Sequence, residues 1–341
     1  MSNQTQTPGG HTLESRPLTP DPIIQLATGF MSAKHLFAAS ELGLFEALAD
    51  APGTLDDLAA RTGLTRRAAR ISADAMVALG LLERDGEMYR NTELAATFLS
   101  GRGGADLRPF LKFWDRISYP AWAELAGALA AGPSKEIFAV TAEMQEVASA
   151  GIEAIQAGPA AALPATFDFS GHSRLLDIGG GTGSWSIAVA HRHPGLHATV
   201  FELPKVADVA RKRIAAAGLS ARIDVQAGDA MADPLPAGYS AFLLANIIHY
   251  WSPDENRSLL QRVRGAAQPG ASLLIADFWT DPTHTVPLMA ALMAGEFAVH
   301  LRNGDVYSVD EGRAWLAATG WRVVHHAALV GPMSVVIAEA V

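Results

Sequence analysis

From residue 170 onward, short apolar runs alternate with stretches of helical periodicity. RLLDI, ATVFEL, RIDVQAGD, SAFLLANII and SLLIADF read as strands, and the segments between them repeat their apolar residues at helical spacing. This alternation predicts a parallel sheet with crossover helices, because parallel neighbours cannot be joined by a tight turn. The last runs, WRVVHHAALV and MSVVIAEA, flank Gly331-Pro332 and predict a closing hairpin on the sheet edge. The expected fold is a doubly wound, Rossmann-like α/β domain.

The preceding residues are patterned differently. Residues 1–20 are polar and broken by Pro and Gly, with neither the basic nor the apolar region of a secretory signal; they read as a flexible tail and a cytoplasmic address. Residues 22–49 place apolar side chains on more than one helical face, too many for a lone surface helix, and call for a partner such as a second subunit. Residues 54–98 read as a winged helix: Thr54 and Thr65 cap two helices, and LLERDGEMYRNT forms a hairpin turning at Asp85-Gly86. Residues 105–165 are Ala-rich and helical in pattern, with Trp114, Tyr119, Trp122, Phe138 and Met144 distributed through them. Of these, Trp114 and Met144 are candidate substrate-pocket residues. The expected divisions are a tail over 1–20, an all-helical winged-helix dimerisation domain with its hairpin wing over 21–104, a helical linker and substrate lid over 105–165, and a catalytic domain over 166–341.

Composition narrows the function. A chain of 341 residues with 49% hydrophobic and 18% charged residues can bury more than one core. No uninterrupted apolar stretch reaches the roughly 20 residues that cross a bilayer, so no membrane partner is expected. The absence of cysteine removes disulfides, thiolate metal sites and cysteine nucleophiles. A winged helix ordinarily points to DNA, yet the net charge is −9, and residues 54–98 hold six basic against seven acidic side chains, with no basic face. Phosphate binding needs clustered Lys and Arg, so a DNA-binding regulator gives way to a dimer contact and a small-molecule partner.

The chemistry begins at Gly179-Gly180-Gly181-Thr182-Gly183, which joins the strand Arg174–Ile178 to a helix predicted over 184–191. That setting makes a glycine loop a nucleotide site. The glycines Gly179, Gly181 and Gly183 are spaced G-x-G-x-G, whereas a dinucleotide fingerprint needs Gly or Ala where Ser184 stands. Asp177 would repel a pyrophosphate but can receive the ammonium of S-adenosylmethionine (SAM). Glu202 ends the second strand, where a carboxylate can accept both ribose hydroxyls, and Asp229 follows the third, where it can meet an adenine amino group. Gly228, Ala230 and Asn246 complete the candidate cofactor set.

LLDIGGGTGSWSIAVAHRHPGLHATVFELP, AGDAMADPLP, LLANIIHYWSPDENRSLLQRVRGAAQPGASLLIADF and GDVYSVDEGRAWLAATGW resemble the class I SAM-dependent small-molecule O-methyltransferases. The N-terminal winged helix resembles that family's dimerisation domain, so the likeness spans residues 20–341. It implies a homodimer, SAM as methyl donor, a small-molecule, secondary-metabolite substrate, and His249 as the general base; an imidazole suits proton removal near neutrality. Trp251 reads as packing. Tyr250 stands where the family motif has Asp, so a carboxylate beside the base must come from elsewhere; Asp277, Glu296, Asp305 and Glu339 are candidates, and the matching position in GDVYS is Val306.

Glu296 and His300 lie one helical turn apart and are candidates for the substrate pocket. Two alternatives stay open. His249 and His300, with Asp277 or Glu296, would make a divalent-metal site for C-methylation of an α-keto acid, since MAGEFAVH loosely resembles the pattern of such enzymes. Tyr250 at the usual Asp also admits a SAM-binding protein with non-methylating chemistry.

Overall fold

The computed structural model describes residues 18–134 and 141–341; the tail expected over residues 1–20, up to residue 17, and Phe138 lie outside them. The chain divides into two compact units, one ending at Thr92 and the other beginning at Glu93. By contact, residues 93–104 group with the second unit.

In the first unit, Thr54 and Asp57 form a reciprocal capping box on helix Leu55–Thr62, and the Thr65 hydroxyl caps helix Arg66–Ala78. Strands β1 (Leu82–Asp85) and β2 (Met88–Asn91) form the wing. Asp85 pairs with Met88, so the turn residues are Gly86-Glu87, one position later than expected, with Gly86 in the left-handed region that glycine tolerates. Phe45, Leu58, Met76, Leu82 and Tyr89 fill the core. Helix Asp21–Thr28 buries no residue, and Leu26 is 84% exposed, as are Ile23, Phe30 and Met31 to a lesser degree.

The second unit is built on a seven-stranded sheet: β3 (Arg174–Ile178), β4 (His197–Glu202), β5 (Ile223–Ala227), β6 (Ala241–Ala245), β7 (Ser272–Asp277), β8 (Trp321–Ala328) and β9 (Ser334–Ala340). The order is β5-β4-β3-β6-β7-β9-β8; β3 to β7 are parallel, and β9 runs antiparallel to both neighbours. The closing hairpin forms, but its second strand lies inside the sheet and β8 takes the edge. Burial explains the choice: Val335, Val336, Ile337 and Ala338 are covered on both faces, while Arg322, Val324, His325 and His326 of β8 face solvent.

Two apolar clusters sandwich the sheet. One gathers Trp185, Val189, Leu163 and Phe169; the other gathers Trp279, Trp315, Leu316 and Trp321, whose indole donates to the Leu260 carbonyl. Strand order reverses between β3 and β6, and such a switch point opens a crevice at the carboxyl ends of the strands. Among the described residues no helix is long and apolar enough to cross a membrane.

Helix Val309–Ala318 starts from a capping box in which Ser308 and Glu311 satisfy each other's backbone. Ser308→Ala should cost about 1 kcal/mol. In a unit of this size that lowers Tm by about 2–4 °C, read by calorimetry; an unchanged Tm would remove the cap from the account.

Candidate cofactor and acceptor site

Every element of the site belongs to the second unit. At the end of β3 the chain enters the glycine loop, where Gly179, Gly181 and Gly183 all have positive φ. A side chain at 179 would meet Ile247 at 2.4 Å, whereas nothing stands near a Cβ at 181. The loop is thus tight on its inner side and open on the other, as close approach of a ligand to backbone requires. The Gly181 N–H donates to Glu202 Oε2 at 2.8 Å and the Leu203 N–H to Oε1 at 2.7 Å, tying the loop to the end of β4. Burial raises the Glu202 pKa against the pull of these two backbone bonds.

Asp177 is fully buried behind the loop. Ser186 donates to Oδ2 at 2.7 Å, and Oδ1 has no partner. Burial, helped by the charge of Glu202, pushes its pKa up to about 7, against the Ser186 bonds. An orphaned buried carboxylate oxygen wants a cation or a donor. Asn246, held at φ 55 at the end of β6, presents a buried amide nitrogen that is also unpartnered. Gly228 packs so closely on Phe201 that a Cβ would lie 2.3 Å from its ring. Asp229 Oδ1 accepts from the Met231 N–H, and Arg262 clamps the same loop through the Ala230 carbonyl at 2.8 Å. Asp177 near the end of β3 and Asn246 just after β6 each keep a buried polar atom without a partner, and Glu202 ends β4 between backbone donors. Asp229 spends one oxygen on its own turn. An orphaned buried carboxylate oxygen and a loop of small residues are compatible with SAM, a cation that carries hydroxyls.

His249 follows β6 in a short 3-10 turn, Ile248–Tyr250. Its Nδ1 lies 2.8 Å from Asp277 Oδ1 at the end of β7, and both side chains are buried. Asp277 Oδ1 also accepts from the Phe278 N–H. A carboxylate only accepts, so the pairing puts the imidazole proton on Nδ1 and leaves the Nε2 lone pair free. Phe297 stacks flat on the imidazole, centroids 4.0 Å apart at 6°, and the Tyr250 ring lies 4.5 Å away. Burial, reinforced by Asp277 and Glu202, raises the Tyr250 pKa to about 12, so its phenol stays protonated. Trp251 is partly buried against the second core cluster, in keeping with packing.

Among the proposed carboxylates, geometry selects one. Asp305 Oδ1 accepts from the Val306 N–H, and Glu339 pairs with Arg322 across the outer strands. Glu296, next to Phe297 in sequence, has other partners: it accepts from the Ser118 hydroxyl at 2.6 Å and the Trp122 indole at 2.5 Å, with His300 Nε2 3.2 Å away. The metal set of the α-keto-acid alternative does not assemble. His249 pairs with Asp277 and His300 with Glu296, with Phe297 on the His249 ring, and among the described residues no three His, Asp or Glu side chains converge as ligands. Trp114 and Met144 pack in a separate cluster with Phe113 and Ile117, connected to Glu296 through Ser118 of the same π-helical turn. Ser118, Ser186 and Phe297 carry no pattern signal: Ser118 meets Glu296 178 residues along the chain, Ser186 is a small helix residue nine positions from Asp177, and Phe297 reads as ordinary helix packing.

The strand order, glycine loop and strand-end carboxylates define a SAM-methyltransferase fold. The sequence matches the O-methyltransferase domain over residues 130–322 and the O-methyltransferase dimerisation domain over 24–101. It is 35% identical over 320 residues to a 3-hydroxy-5-methyl-1-naphthoate 3-O-methyltransferase of Streptomyces sahachiroi, covering 92% of each chain. It is 33% identical to the N,N-dimethyltransferase OxyT of Streptomyces rimosus, over 88% of this chain and 90% of that one. Human N-acetylserotonin methyltransferase, solved in complex with SAM, superposes with a TM-score of 0.84 at 26% identity, covering 96% of this chain and 99% of the other. The chain belongs to the O-methyltransferase family. It is a SAM-dependent methyltransferase.

Asp177 gives a stability test. An acid whose folded pKa is raised contributes stability fully below its unfolded pKa and loses it as pH rises through the folded value. Ligand-free protein should therefore lose stability between about pH 4 and pH 7. Asp177→Asn, which mimics the protonated acid, should melt above the unsubstituted protein at about pH 8 and level with it near about pH 4. A difference independent of pH would contradict the assignment.

Proposed function

We propose that the protein transfers the methyl group of SAM to a hydroxyl of a small aromatic secondary metabolite, with His249 as general base. The buried 2.8 Å pair between His249 Nδ1 and Asp277 carries this reading, because it fixes the tautomer whose Nε2 can take a proton. SAM supplies an electrophilic methyl on a sulfonium, and in-line displacement needs a nucleophile held close to it. Asp277 orients the imidazole and stabilises the imidazolium that forms. Tyr250, kept protonated, serves as a hydrogen-bond donor rather than a second base. Phe297 and Tyr250 make the surroundings of the base aromatic, and the Streptomyces sahachiroi relative is named for an aromatic hydroxyl substrate.

For the cofactor, Asp177 takes the ammonium, Glu202 the ribose, and Asp229 the adenine edge. Gly179, Gly181 and Gly183 give backbone access, and Gly228, Ala230 and Asn246 line the rest of the crevice. Trp114, Met144, Glu296 and His300 belong to the acceptor pocket. The exposed apolar face of helices Asp21–Thr28 and Phe30–Glu41, within the region matching a dimerisation domain, supports a homodimer.

His249→Ala should lower kcat toward hydroxynaphthoate acceptors by about 100-fold or more while leaving S-adenosylhomocysteine affinity unchanged by calorimetry; retained activity would overturn the base. Chelation with EDTA should leave the rate unaltered, since the acceptor hydroxyl is deprotonated by imidazole. Loss of activity restored by a divalent metal would favour the metal-assisted reaction instead.

A further inference from the structure

Helix Leu288–His300 brings a second histidine–carboxylate pair beside the first. Phe297 lies on the His249 ring, and its helical neighbours Glu296 and His300 form the pair, both buried. Glu296 is 4% exposed, and its two hydrogen-bond donors, Ser118 and Trp122, are neutral. The nearest imidazole is that of His300, whose Nε2 approaches Oε1 to 3.2 Å without hydrogen-bond geometry and is left buried with no hydrogen bond. Neutral donors do not offset a buried carboxylate's charge, and an unbonded buried imidazole nitrogen is costly in itself. The surroundings are specialised for this cluster. Ser118 closes a π-helical turn, Trp114–Ser118, a distortion frequent at functional sites, and a side chain at Gly295 would come within 2.7 Å of the Trp122 ring.

We propose that Glu296 and His300 form a second acceptor-anchoring subsite that binds a hydroxyl other than the one methylated, so that the substrates are polyhydroxylated aromatics. The inference rests on the reading of His249 as the base beside the acceptor. A neighbouring carboxylate favours the tautomer with hydrogen on Nε2, which makes His300 a donor and Glu296 an acceptor at adjacent points. A hydroxyl meets both at once: its hydrogen goes to Glu296 Oε1 and its oxygen accepts from His300 Nε2. A substrate carboxylate would face Glu296 with like charge. An ammonium would satisfy Glu296 and leave the imidazole N–H unbonded. No bond is made or broken at this subsite; it selects and orients.

The test is calorimetric titration of the full chain, loaded with S-adenosylhomocysteine, with 2-naphthol and with a panel of dihydroxynaphthalenes. At least one diol should bind about tenfold more tightly than 2-naphthol, the size expected for added buried hydrogen bonds to a charged group. Glu296→Gln and His300→Phe should each abolish that preference, bringing the best diol level with 2-naphthol measured in the same variant. If either variant melts below the working temperature, His300→Asn takes its place, with the same expected loss. No diol preference in the unsubstituted protein, or a preference that survives substitution at both positions, overturns the proposal. His249→Ala separates the two readings: it should lose methyl transfer and keep the diol preference, so failure of the base and failure of the subsite give different results.

Discussion

The contact between His249 Nδ1 and Asp277 Oδ1 joins the ends of two adjacent parallel strands, and the chemistry of the site follows from it. Ala245 is in register with Ala276, so the residues just beyond them emerge side by side at the carboxyl edge of the sheet. There the chain needs no sequence proximity to pair an acid with a base; Asp277 is the last residue of β7 and is held by the backbone N–H of Phe278 as well. A carboxylate fixed by a strand end and a backbone donor orients an imidazole more rigidly than a loop carboxylate would. This explains how Tyr250 can replace the Asp common to the family motif without leaving the histidine unsupported.

The other half of the crevice depends on carboxylates that are buried before any ligand arrives. Asp177 and Glu202 both have their pKa raised by burial, and each is only partly compensated by hydroxyl or backbone donors. Under the proposed role, a cationic ligand stabilises the ionised forms, so binding of SAM repays a desolvation cost already built into the empty fold. The strained backbone of Asn246 and the glycine loop's three positive-φ positions fall at the same edge, where strain is commonly concentrated at functional sites.

Much of this architecture is legible in the amino-acid pattern. The central parallel strands β3, β6 and β7 are buried almost throughout and so appear as continuous apolar runs; β3 and the glycine loop appear where the pattern places them. The winged helix is equally legible through the Thr54 and Thr65 caps. What the pattern hides is pairing across distance. Asp277 stands 28 residues from His249, and nothing local distinguishes it from Asp305, whose carboxylate turns back onto its own backbone. Ser118 meets Glu296 across 178 residues through a π-helical turn that has no periodic signature. The place of β9 inside β8 likewise follows from two-sided burial, since a hairpin reads the same whichever strand is outermost.

Removal of the acceptor proton by His249 depends on which ring nitrogen already carries a hydrogen. Nitrogen-15 NMR of histidine-labelled protein, assigned with a His249→Gln variant and recorded at about pH 9, where an ordinary imidazole is neutral, reads the tautomer directly. Protonation at Nδ1 with a free Nε2 lone pair is the predicted result. A His249 ring protonated at Nε2 would contradict the Asp277 pairing and, with it, the proposed removal of the acceptor proton.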